Sequence, residues 1–141
     1  MRTTNVTRLA HVSLIAGLLL TGAGWVAAKD VSVKLTGAEE TPAVDTTAKG
    51  SGKITVKDDM TVSGSIKTTG IDGTMAHIHM AEPGKSGPPV ITLEKKSADE
   101  WVVPEGSKLT ADQYKSFKDG NLYVNVHSAA HKGGEIRGQL K

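Results

Sequence analysis

From Asp30 onward the chain alternates apolar and polar residues in short stretches. Val31, Val33 and Leu35 alternate with polar neighbours in DVSVKLTG, and Ile54 and Val56 do so in KITVKDD. A period of two is the mark of a strand with one buried face. The Lys57-Asp58-Asp59-Met60 turn leads on into TVSGSIKTT, so these two segments predict a hairpin. TMAHIHM, PVITLEK, EWVV, NLYVNVH and GEIRGQL read as further strands, and Gly, Pro, Asn and Asp punctuate the gaps, notably in AEPGKSGPP. The GSG at Gly50–Gly52 predicts a bend or bulge. It precedes a strand rather than a helix, so it is no phosphate cradle. Many short alternating strands with frequent turns argue for an all-β sandwich or barrel.

One segment departs from this period. Thr110-Ala111-Asp112-Gln113 has the form of a capping box, with Thr110 as N-cap and Gln113 reaching back to it. Tyr114 and Phe117 then fall at helical spacing and Gly120 supplies a stop, which predicts one short helix over about 111–118.

The start of the chain changes where this domain is expected to work. MRTTNVTRLAH carries Arg2 and Arg8 and no acid, VSLIAGLLLTGAGWV is apolar, and Val26-Ala27-Ala28 gives a small-residue cleavage pattern. Residues 1–28 therefore read as a secretory signal peptide cleaved after Ala28, leaving a single β domain from Lys29 to Lys141 in the periplasm or outside the cell. No membrane association is expected after cleavage, and a monomer is the default. The chain has 17 basic and 15 acidic residues, and Arg2 and Arg8 account for the whole excess. The remainder is formally neutral, has no lysine stripe and has few aromatic residues, so nucleic-acid binding has no footprint. With no cysteine there is neither a disulfide framework nor a thiolate ligand.

The histidines carry the chemistry. Apart from His11, all of them fall in two short segments: His77 and His79 in AHIHM, and His127 and His131 in NVHSAAH. Side chains alternate across a strand, so His77 and His79 share a face opposite Ala76, Ile78 and Met80. In the later strand His127 shares its face with Tyr123 and Asn125, opposite Leu122, Val124 and Val126. Two histidines about 6–7 Å apart along one strand face can chelate one ion, and a neighbouring strand can complete the set. The expected metal ligands are His77, His79, His127 and His131, with Met75 as a further ligand on the same face. Asn125 is an outer partner that could orient an imidazole; Glu39 could do the same but is read first as a solvated loop charge. Copper is the expected ion, Cu(II) by intrinsic affinity or Cu(I) with the thioether, and zinc is the alternative. The competing reading is that these histidines make only surface hydrogen bonds.

The segments LTGAEETPAV, AHIHMAEPGKSGPPVITL and LTADQYKSFKDGNLYVNVHSAAHKGGEIRGQL, in that order, resemble the CHRD domain over about Val33 to Leu140. That domain was named for chordin, where it occurs in tandem, and it is also found as single-domain exported bacterial proteins. The resemblance implies an immunoglobulin-like or Greek-key antiparallel β-sandwich or barrel. It places the family's histidine positions on His77, His79 and His127, with His131 at a position where His or Asn is common. Met80 departs from the Gly found in many members and leaves a thioether near the site. In chordin the domains serve an antagonist of secreted growth factors, a role that does not carry over to a lone exported domain. Glu135 and Arg137, within the motif, share a strand face and read as a stability feature, paired with each other or with a neighbour.

Three functions remain in view. The favoured one is a binding module that takes one copper ion for storage, delivery or tolerance, with a metal donor or acceptor, or another extracytoplasmic protein, as its partner. The second is a protein–protein interaction or adhesion module without metal. The third is an enzyme resembling a copper-dependent superoxide dismutase, against which stand too few histidines for two sites. No Ser-His-Asp order, paired-carboxylate motif or phosphate loop supports other catalysis, and no catalytic residue is assigned.

Overall fold

The computed structural model describes Gly24 and residues 26–141, so nearly all of the expected signal peptide lies outside the described residues. Among them, no helix is long and apolar enough to cross a membrane. The strands are β1 (Ala28–Thr36), β2 (Lys49–Lys57), β3 (Val62–Thr69), β4 (Gly73–Met80), β5 (Pro89–Thr92), β6 (Glu94–Lys95), β7 (Glu100–Val102), β8 (Leu122–Ser128) and β9 (Ile136–Leu140). Helix α1 covers Ala111–Lys118, and both bonds of its capping box are made between Thr110 and Gln113. The predicted all-β fold with one short helix is what is found.

All the strands belong to one sheet, in the order β5-β4-β8-β9-β1-β2-β3-β7-β6, and every pairing is antiparallel. Its two edge strands, β5 and β6, are separated in the chain by Leu93 alone, so the sheet curls into a nearly closed barrel. PVITLEK, expected as one strand, is split for this reason: its first half pairs with β4 and its second with β7. Across the seam the Leu93 N–H donates to the Ala76 carbonyl (2.9 Å) and Lys95 Nζ donates to the Gly73 carbonyl (2.7 Å). Trp101 of β7 fits against Gly73 of β4, where a Cβ would sit 2.9 Å from the indole ring. A side chain at position 73 would hold the two edges apart.

The alternation resolves as expected on the inner face. Val31, Val33, Leu35, Ile54, Val56, Ile66, Ala76, Ile78, Leu122, Val124 and Val126 are buried in one aliphatic core, joined by Trp101 and by Phe117 from α1. The glycines of GSG make no bulge. β2 keeps an unbroken register with β1 and β3 through Gly50 and Gly52. They answer to close packing instead: a Cβ on Gly52 would collide with the Ser65 carbonyl oxygen, and one on Gly50 would crowd Leu35.

β8 does not follow the half-exposed pattern, since all seven of its residues are buried. Its outer face carries Tyr123, Asn125 and His127. The connection 81–88 and the 129–135 turn reach this face, as does Glu40 at the end of the short 3-10 turn Gly37–Glu39. The layer they enclose is polar.

Stability should divide between these layers. Leu35→Ala should lower the unfolding free energy by about 2–5 kcal/mol through the lost contacts and the cavity left behind. Thr110→Ala, which removes one side of the capping box, should cost about 1 kcal/mol. Urea denaturation followed by tryptophan fluorescence measures both.

Candidate metal centre

The site is built by pairing β4 with β8. In their register Met75 lies opposite His127, His77 opposite Asn125, and His79 opposite Tyr123. The outward positions of both strands therefore form one patch, and one nitrogen from each of His77, His79 and His127 lies within 4.8 Å of the others. Ring centroids are 5.4 Å apart for His77 and His79, and 5.0 Å for His77 and His127.

Backbone carbonyls orient two of the rings. His79 Nδ1 lies 2.8 Å from the Gly87 carbonyl oxygen, and His127 Nδ1 lies 2.8 Å from that of Lys132. A carbonyl only accepts, so each of these nitrogens carries the proton and each Nε2 keeps its lone pair. The lone pair of His127 Nε2 faces His77 Nδ1 at 3.0 Å. That of His79 Nε2 is buried and has no hydrogen-bond partner. Leaving such a group unsatisfied costs on the order of 1–3 kcal/mol. Two imidazole nitrogens bound to one ion at about 2.0–2.1 Å sit about 2.8–3.0 Å apart at a right angle and about 3.3–3.4 Å apart at the tetrahedral angle. The 3.0 Å separation of His77 and His127 thus suits either a shared proton or a shared metal ion.

The surroundings disfavour a charge on two of the rings. Burial pushes the His77 imidazole below its usual value, and His127 and His79 push in the same direction. Burial does the same to His79, against the bond to Gly87, which favours the protonated ring. Tyr123 lies flat on His79, with planes 4° apart and centroids at 4.9 Å, and the guanidinium of Arg137 lies over the Tyr123 ring, 3.5 Å from its centroid. Burial also raises the Glu40 carboxyl, opposed by Arg137 and Asn125.

Not every expected site residue joins the group. His131 stands outside the three-histidine set. Its backbone is used in the turn, donating to Ser128 and accepting from Ser128 and Gly134. Burial pushes the Glu135 carboxyl up, but bonds from Ser128 and Thr46, with His131 nearby, bring it below its usual value. Met75 is on the expected face but 49 % exposed, at the rim. Met80 packs against the aliphatic core. Glu39 is exposed, and the carboxylate that enters the polar layer is its neighbour Glu40, against Asn125 and Gly134. The 3-10 turn, which ends at Glu39, decides between them. Glu135 and Arg137 make no pair: Glu135 accepts from Thr46 (2.7 Å), and Arg137 donates to the carbonyls of Lys85 and Glu82. The carbonyls of Gly87 and Lys132 leave no trace in a residue-type pattern.

Fold and site together define a small antiparallel β domain that carries an imidazole cluster on the polar face of two paired strands. The profile of the CHRD domain matches residues 31–140, and the chain belongs to the CHRD domain family. No curated protein and no solved structure matches it.

The depressed histidines have a consequence for pH. Below about 6.5 the unfolded chain takes up protons that folded His77 and His79 refuse. Stability without metal should therefore be full above that value and fall as pH drops through it, levelling off only below the folded values. His77→Gln/His79→Gln should flatten this dependence. Thermal unfolding between pH 7.5 and 5 is the measurement.

Proposed function

We propose that this protein is an exported CHRD-domain metal-binding module, acting in the periplasm or outside the cell, that holds one copper ion through His77, His79 and His127 for storage, delivery or tolerance. The observation that carries the reading is the convergence of the three imidazoles around the buried, unpartnered Nε2 of His79. An ion there would supply that nitrogen's missing partner and take the place of the proton between His77 and His127. Carbonyl-anchored Nδ1–H groups on His79 and His127 are the arrangement that orients imidazole ligands.

The donor set supports copper. It is all imidazole, without thiolate or carboxylate, and such sites bind Cu(II) more tightly than Zn(II). Exposed Met75 at the rim adds a thioether suited to Cu(I). His131 is left out of the ligand set proposed here. Export rests on the signal-like residues 1–28, and the partner class is a protein that donates or accepts the ion.

The protein without an affinity tag should take up one equivalent of copper, more tightly than zinc, in parallel titrations with Cu(II), Cu(I) and Zn(II). His77→Ala/His79→Ala should abolish this uptake and still fold, because both side chains face away from the aliphatic core. Affinity should hold to a lower pH than for free imidazole, since protons compete less well for the half-buried rings of His77 and His79. Absence of stoichiometric uptake, or zinc bound in preference, would sink the copper reading. Mass analysis of the protein from producing cells should find Lys29 as its first residue.

A further inference from the structure

Arg137 is the largest fully buried side chain, at 2 % exposure. Its charge is met by carbonyl oxygens and not by a carboxylate at contact distance: Nη1 donates to Lys85 O (2.7 Å), and Nη2 to Glu82 O (3.2 Å) and Gln139 Oε1 (3.1 Å). Gln139 in turn donates to Ala81 O at 2.9 Å. These bonds tie the 81–85 part of the connection between β4 and β5 down onto β9. A buried guanidinium is costly where an apolar side chain would fill the same space, so core stability alone does not account for it.

What it reaches is the support of His79. The connection continues to Gly87, whose carbonyl accepts from His79 Nδ1 and whose N–H donates to Tyr123 Oη at 3.3 Å. The guanidinium also covers Tyr123, and Tyr123 lies parallel on the His79 ring. Both supports of His79, the carbonyl that fixes its tautomer and the ring that fixes its plane, are thus touched or anchored by Arg137. His127 is different, because its anchor is Lys132 O in the 129–135 turn.

We infer that Arg137 is the positioning residue of the metal centre, holding the 81–88 strap and Tyr123 so that His79 keeps its proton on Nδ1 and aims Nε2 at His77 and His127. The inference rests on reading the cluster as a metal centre, but its first consequence is visible without metal.

The test is the tautomer of each histidine in the 15N-labelled, metal-free protein, read from long-range 1H–15N couplings and compared with Arg137→Gln and Arg137→Lys. In the unsubstituted protein His79 and His127 should both be Nδ1–H. Arg137→Gln should turn His79 into a mixture of tautomers while His127 stays as it was. Arg137→Lys should fall between the two. Cu(II) affinity should drop about 10–100-fold in Arg137→Gln. A folded Arg137→Gln protein with an unchanged His79 tautomer overturns the inference. If that variant does not fold, Arg137→Lys decides on the same criterion, and failure of both to fold assigns Arg137 to the core and overturns it too. A changed His79 tautomer in a protein that binds no copper even when unsubstituted would leave Arg137 as the positioning residue and remove the copper reading alone.

Discussion

Everything at the site depends on the register of β4 against β8. Side chains alternate strictly along a strand, so a slip of one residue would exchange the two faces. His77 and His79 would then point into the barrel and Ala76 and Ile78 out of it. The aliphatic residues hold the register: Ala76 pairs with Val126 and Ile78 with Val124, and all four are fully or almost fully buried. The core and the histidine cluster are therefore two consequences of one constraint. The energy that fixes the apolar face also sets the separation of the imidazoles.

The second condition is that the outer face be covered without losing its hydrogen bonds. Most groups of a buried polar layer find partners, and in this one Glu40 Oε1, His79 Nε2 and Asn125 Oδ1 are the exceptions. Here the partners are largely backbone: Gly87 O for His79, Lys132 O for His127, and the carbonyls of Ala81, Glu82 and Lys85 for Gln139 and Arg137. The connections over β4, β8 and β9 thus act as part of the site. Gly87 shows how closely they fit, because a Cβ there would collide with the Met80 carbonyl oxygen.

Much of this was legible in the sequence, and the gaps have physical causes. Alternation located the strands, the capping box located α1, and the spacing of His77, His79 and His127 located the cluster. Closure was not legible at Leu93, because a residue that joins two edge strands looks like the middle of one strand. Nor was the need for glycine at position 52, which reflects the proximity of Ser65 from the neighbouring strand. Glu39 and Glu40 are adjacent identical residues, and only the 3-10 turn separates the exposed one from the buried one. Arg137 sits on a strand beside Gln139 with nothing in its neighbours to announce that loop carbonyls will meet it.

The position of His131 bears on what the centre can hold. Its backbone closes the turn that presents Lys132 O to His127, so it serves the cluster from outside. Three neutral donors remain. Of the nearby carboxylates, Glu135 accepts from Thr46, while Glu40 is buried with its Oε1 unpartnered and its carboxyl raised by burial. An ion would bring its full charge into a partly buried place that also holds a guanidinium. The cost of burying a charge rises with its square, so a monovalent ion meets about a quarter of the penalty of a divalent one. On the copper reading this favours Cu(I) electrostatically, while imidazole affinity favours Cu(II).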